Sequence, residues 1–166
     1  MTDYALLQRF LDFSAEVTAF STLDLYGTGQ AEPYLTTIVT VVGEQALKEL
    51  LDAYERAPQA DPRALHRDVF SSEKLGPVAR NIIKLWYAGV WYRLPPEWTE
   101  SFGARDGDGT FVVSPAAYTE GLLWRAIGAN PPGAKAPGYG SWAAPPRIED
   151  PGAPLTAAAL GQGGRQ

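Results

Sequence analysis

An all-α fold follows from the 166-residue sequence: a compact bundle of about five helices over residues 1–128, then an extended, proline-rich C-terminal arm. Three features carry this reading. Apolar residues recur at spacings of three and four, as on one face of an α-helix. Hydroxyl or Pro start signals and Gly stops bracket the runs. Most late prolines fall beyond residue 130, where they forbid helix and favour extended backbone.

In order along the chain, Leu6, Phe10, Phe13, Val17 and Phe20 keep helical spacing, with Arg9, Asp12 and Glu16 on the wet side and Thr2 or Asp3 available as a cap. Residues 23–29 (LDLYGTG) read as a turn-rich break. Residues 36–42 (TTIVTVV) have strand propensity but do not alternate apolar with polar. Pro33 suits a first helical turn, and Leu47, Leu50, Leu51 and Tyr54 continue at helical spacing, so two helices are expected to meet near Gly43. Residues 57–72 read as a polar, proline-punctuated connector. Ser72 then caps a strong helix whose face carries Leu75, Val78, Ala79, Ile82, Trp86, Gly89 and Val90, ended by Leu94-Pro95-Pro96. Asp106-Gly107-Asp108-Gly109 is a tight turn before Phe111-Val112-Val113. Ser114-Pro115 opens a last helix through Tyr118, Leu122, Trp124 and Ile127, stopped by Gly128. Residues 129–152 form the arm, and 153–166 are small and polar, a composition expected to stay disordered.

The bulk composition excludes several function classes. There is no cysteine, hence no disulfide, thiolate metal site or cysteine nucleophile in this chain. A net charge of −5 without any Lys/Arg block argues against nucleic acid as a partner. No run approaches the ~20 apolar residues that cross a bilayer. The residues of the start, Met1-Thr2-Asp3-Tyr4, carry neither a basic n-region nor twin arginines, so no export signal is expected.

Catalytic, cofactor-binding and metal-binding candidates are likewise absent from the reading. The single histidine, His66, sits in the connector, with no serine, carboxylate or second ligand placed near it by a recognisable motif. The Asp106–Thr110 stretch lacks the Gly and Glu of a calcium loop, where Phe111 and Ala117 stand instead. Gly27-Thr28-Gly29 lacks the third Gly, the preceding strand and the Lys of a phosphate cradle. On its own the chain is expected to catalyse nothing.

Its aromatics point elsewhere. Of 19 aromatic residues five are Trp, and the tryptophans sit after residue 85. Trp86, Tyr87, Trp91 and Tyr92, read as two helical turns, cover more than one helix face, more than a small bundle needs for its core. Large unmatched apolar area marks an interface, and Trp and Tyr dominate interface energies. The arm makes the same case: ordering each residue costs on the order of 1–2 kcal/mol, whereas Tyr139, Trp142 and Ile148 each return about 1.5–3 kcal/mol on burial. Grooves of a larger partner repay that ordering better than this small domain does. Trp86, Tyr87, Trp91, Tyr92, Trp124, Pro137, Tyr139, Trp142, Pro145 and Pro146 are therefore the candidate interface residues, divided between core and partner groove.

Three segments, Arg80-Asn81-Ile82-Ile83-Lys84-Leu85-Trp86-Tyr87-Ala88-Gly89, Tyr118-Thr119-Glu120-Gly121-Leu122-Leu123-Trp124, and Pro137-Gly138-Tyr139-Gly140-Ser141-Trp142 with Pro145-Pro146, resemble the small subunit of membrane-bound FAD-dependent sorbitol, fructose or glucose dehydrogenases. Phe10-Leu11-Asp12-Phe13-Ser14 and Leu23-Asp24-Leu25 fit the same order, so the likeness spans roughly residues 5–146. The resemblance implies a non-catalytic subunit that supports folding, stability or export of a large flavoprotein of the glucose–methanol–choline type. The FAD then lies in that partner, and a haem c in a third, cytochrome subunit. It also implies a periplasmic place, held at the inner membrane through the complex. A cytoplasmic complex is the alternative for a chain without an export signal. Rival readings are a transient assembly chaperone for the flavoprotein and an unrelated helical module binding a small apolar ligand.

Overall fold

The computed structural model describes residues 4–58, 61, 63–103, 107–132 and 134. The chain divides into two units, one ending at Leu123 and the other beginning at Trp124. The described residues are mainly helical, with one two-stranded ribbon, so the all-α expectation holds at the level of class.

Helix α1 (Tyr4–Thr18) is the hub, touching α2, α3, α4 and α5. It buries Leu6, Leu7, Phe10, Leu11 and Phe13. Its end is set by Ala19, a non-glycine residue at φ 60°, and by Thr18, whose hydroxyl donates back to the Ser14 carbonyl. The break expected at residues 23–29 is instead a helix, α2 (Thr22–Gly27). Ser21 caps it: its Oγ accepts from the Asp24 N–H at 3.1 Å and donates to the Asp24 carboxylate. Leu25, fully buried, anchors α2 to the core.

Helices α3 (Ala31–Val42) and α4 (Glu44–Arg56) meet at Gly43, where the two-helix reading puts them. The β-branched run stays helical because Ile38, Val41 and Val42 fall on the buried face, while the Thr37 and Thr40 hydroxyls bond the carbonyls of Pro33 and Thr36 one turn back. Leu47, Leu50 and Leu51 of α4 are fully buried.

The expected connector is more structured than its composition suggests. His66–Phe70 forms a π-helical turn, closed by the Ser71 N–H on the His66 carbonyl at 2.8 Å, and it drives Val69 into the core. Helix α5 (Leu75–Ala88) follows; Lys74 stands at its N-cap without a side-chain cap, and the expected Ser72 lies two residues earlier, where its hydroxyl accepts from the Leu75 N–H at 3.2 Å. Its continuation through Val90 is a second correction. Gly89 adopts the left-handed conformation at φ 69° and ends the helix. Val90–Trp91 then forms strand β1, antiparallel to β2 (Phe111–Val112), with Val90 opposite Val112 and Trp91 opposite Phe111.

Helix α6 (Pro96–Phe102) pins its Trp98 by an indole N–H bond to the Lys74 carbonyl at 2.7 Å. The expected last helix is split into α7 (Pro115–Thr119), capped by Ser114 on the Ala117 N–H, and α8 (Leu122–Ala126). The split falls where Gly121 passes the end of α5: a Cβ there would lie 2.8 Å from the Tyr87 carbonyl oxygen. In the second unit, Gly128 and Ala129 close α8 through their N–H groups on the Arg125 and Trp124 carbonyls, with Gly128 at φ 64°.

Aromatic packing sits at the centre. Phe10 stacks on Trp86 at 5.9 Å between centroids, and Tyr34 meets the same indole edge-on at 4.9 Å. No helix of the described residues is long and apolar enough to cross a membrane.

Candidate partner-binding surface

The ten candidate interface residues separate sharply. Pro137, Tyr139, Trp142, Pro145 and Pro146 lie outside the described residues. Trp86 and Trp91 are core residues, a correction to their place among the partner contacts: both are fully buried within the chain itself. The physical reason is Gly89. Because the helix stops there, Trp91 is not carried 100° around α5; the ribbon swings it inward instead.

Tyr87 is half-buried, packs edge-on against Phe20 at 6.2 Å, and donates its hydroxyl to the Thr18 carbonyl at 2.9 Å. That contact ties α5 to the end of α1. Tyr92, next to the ribbon, is 38% exposed, with the Lys84 ammonium 4.9 Å from its ring centre. Trp124, first residue of the second unit, is half-buried.

Around Tyr92 the ribbon adds apolar surface that sequence reading did not single out: Phe111 is 38% exposed and Val112 56%. Strand alternation puts Val90 and Val112 on the face opposite Trp91. Tyr118 on α7 and Leu123 on α8 are further exposed apolar side chains.

Two polar residues build this region, and neither was recognised from sequence. Asn81, buried in α5, donates its amide to the Tyr92 carbonyl at 2.6 Å and fixes the chain just after the ribbon. Asp108, read as part of a plain turn, accepts from the Trp91 indole N–H at 3.3 Å and from the Leu94 N–H at 3.2 Å. A carboxylate following a glycine in a tight turn is ordinary turn chemistry, so nothing local in the sequence marks these long-range bonds.

The shifted titrations have structural causes. Burial pushes the Tyr34 hydroxyl well above its ordinary range, with a smaller push from Glu120. Lys74 and then Gln45 hold the Glu49 carboxyl below its usual value, and the Arg63 backbone N–H and Arg67 do so for Asp61. His66 is exposed in its π-turn, with Nδ1 3.3 Å from Ser71 Oγ, so a serine does stand beside it after all. Among the described residues no carboxylate hydrogen-bonds the ring to orient it as a base, so the pair lacks the third member of a nucleophile triad. Nor, among the described residues, do three or more His, Asp or Glu side chains converge as for a metal ion. What the region presents is a rigidly supported apolar and aromatic surface. Comparison with protein families, curated proteins and solved structures finds no match to this chain.

Proposed function

We propose that this chain is a non-catalytic partner subunit of a flavin-dependent sugar or alcohol dehydrogenase complex, stabilising a large FAD-bearing subunit of the glucose–methanol–choline type. The observation that supports this most is the ribbon at the end of α5, where Val112 stands exposed on one face and Phe111 on the other, with Tyr92 exposed beside them, on a scaffold fixed by Asn81, Asp108 and Gly89. Maintaining such a surface serves adhesion to another protein. The sequence resemblance supplies the identity of the partner. Its longest motif is the body of α5, whose residues hold the fold: Arg80 bonds the Phe70 carbonyl, Asn81 the Tyr92 carbonyl, Tyr87 the Thr18 carbonyl, and Trp86 fills the core. FAD belongs to the partner, and a cytochrome subunit would take its electrons.

Co-expression of the full chain with flavoprotein dehydrogenase subunits of the same genome tests the proposal. The expected result is a yellow complex that survives gel filtration, with a higher yield of FAD-loaded large subunit than without this chain. Tyr92→Glu and Val112→Glu should each weaken the complex at least tenfold while leaving the helical spectrum of the free chain intact. Release of the chain after folding would favour a transient chaperone instead. A chain that runs alone and leaves the flavoprotein yield unchanged would sink the proposal.

A further inference from the structure

Helices α1 and α2 leave a groove of about 400 Å³ between them. Leu7 and Leu11, each 4% exposed, form its apolar floor. Tyr4, Leu23 and Tyr26 stand on its rim, exposed to 76, 80 and 59%. On α2, Leu23 and Tyr26 are three residues apart and share one face, while Leu25 points into the core. Single exposed apolar side chains are ordinary; three large ones rimming an apolar concavity are an interaction surface.

The charge around the groove says what fits it. The two helices that form it carry three carboxylates (Asp12, Glu16 and Asp24) and one cation, Arg9. Arg9 turns away to α4, where it pairs with Asp52 at 2.5 Å and Glu55 at 2.6 Å. Asp12 lies one turn beyond the groove residue Gln8, which donates its amide to that carboxylate at 3.0 Å, and Glu16 follows a turn later on the exposed side.

We propose that the α1–α2 groove docks an amphipathic helix of a protein partner, with Leu- or Phe-sized side chains on its inner face and Lys or Arg along its flanks. Such a helix covers the rim as well as the floor, the mode in which apolar anchors enter a groove. Its basic flanks answer the acidic surroundings and speed the encounter. A small apolar molecule in the concavity would leave the rim wet. A second copy would bring a further −5 against the first, and an anionic lipid surface would be repelled. The partner is defined by this chemistry alone and does not depend on the flavoprotein reading.

The test is a displayed library of peptides about four helical turns long, selected on the full chain and counter-selected on a Leu23→Ser, Tyr26→Ser variant. Both positions are exposed, so the variant should keep the wild-type melting curve; if it melts lower, methyl chemical shifts of Leu7 and Leu11 on peptide addition replace it as readout. Enriched peptides should carry apolar residues at helical spacing between Lys or Arg flanks. The best of them should bind wild type at least tenfold tighter than the variant and lose at least threefold to Asp12→Asn, Glu16→Gln, a difference that closes at high salt. Enrichment of acid-flanked peptides, none against the variant, or methyl shifts that leave Leu7 and Leu11 unmoved overturns the proposal. So does sedimentation of wild type as a dimer that the variant dissociates, since the occupant is then a second copy.

Discussion

Replacing Gly89 by alanine tests how the end of α5 is built. Gly89 sits at φ 69°, and a Cβ there would lie 2.5 Å from the carbonyl oxygen of Ala117 and 2.6 Å from its carbon. Those atoms are backbone of α7, and Ala117 is itself fully buried, so no flexible side chain can move aside. Gly29 gives the control, with nearly the same φ (68°) and, among the described residues, nothing within 4 Å of the added Cβ. Left-handed backbone costs an L-residue roughly 1–2 kcal/mol, offset by about 0.4–1 kcal/mol from the stiffer unfolded chain. Gly29→Ala should therefore destabilise by about 1 kcal/mol. Gly89→Ala carries the same strain plus an overpacking penalty of about 1–3 kcal/mol, giving about 2–4 kcal/mol in all. Urea unfolding followed by circular dichroism measures both, and equal slopes for wild type and variants license the comparison. If the two variants lie within about 0.5 kcal/mol of each other, the close approach of α5 and α7 is not what requires glycine at position 89.

Three further outcomes follow from named contacts. Asp108→Ala leaves the Trp91 indole and Leu94 amide without their acceptor and should cost about 2–4 kcal/mol, Asp108→Asn about 1 kcal/mol, both by urea unfolding; equal costs would show that the carboxylate is not the acceptor that matters. Tyr87→Phe removes the bond to the Thr18 carbonyl and should cost about 1 kcal/mol, with circular dichroism of the folded state unchanged. Tyr34 has a buried hydroxyl with no hydrogen-bond partner among the described residues, so Tyr34→Phe should be neutral or slightly stabilising at pH 7. Because burial raises the folded phenol above its ordinary value of 10.0, the unfolded chain ionises first and wild-type stability falls as pH rises beyond that value. The fall is at most about 1.4 kcal/mol per pH unit, and Tyr34→Phe should remove it in alkaline urea titrations.

The sequence made the long helices legible because each places four or more large apolar groups on one face. Leu6, Phe10 and Phe13, or Val78, Ile82 and Trp86, bury together and leave a periodic trace. Short elements leave none. Helix α2 has one buried anchor, Leu25, and its composition of Asp, Gly and Thr resembles a loop. The informative signal there was Ser21 three residues before Asp24, a capping pair that is visible without periodicity. The π-turn at His66–Phe70 buries Val69 alone, after the charged Arg67 and Asp68, again too little for a pattern. At the end of α5 the pattern itself misleads: Val90 falls four residues after Trp86, as a helix would have it, yet the left-handed Gly89 and the pairing of Val90 with Val112 override that spacing.

The candidate surface was legible only by residue type, for the same reason. Aromatic residues in excess of core need can be counted along a sequence, but which of them are in excess depends on where the helix stops. The turn at Gly89 decides it, sending Trp91 inward and leaving Tyr92 at the surface. Once Trp86 and Trp91 are assigned to the core, the proposed adhesive surface shifts from the helix to the ribbon, onto Val112, which carries no signal in the sequence beyond being apolar. The same step separates two roles that the motif from Arg80 to Gly89 had merged. Its tryptophan, asparagine and glycine build the support, while the proposed contact falls to residues beside them. A substitution inside the motif should therefore lower stability and partner binding together, whereas Val112→Glu should lower binding alone. Urea unfolding and complex yield, measured on the same variants, separate the two; parallel losses at Val112 would mean that the ribbon is structure and not surface.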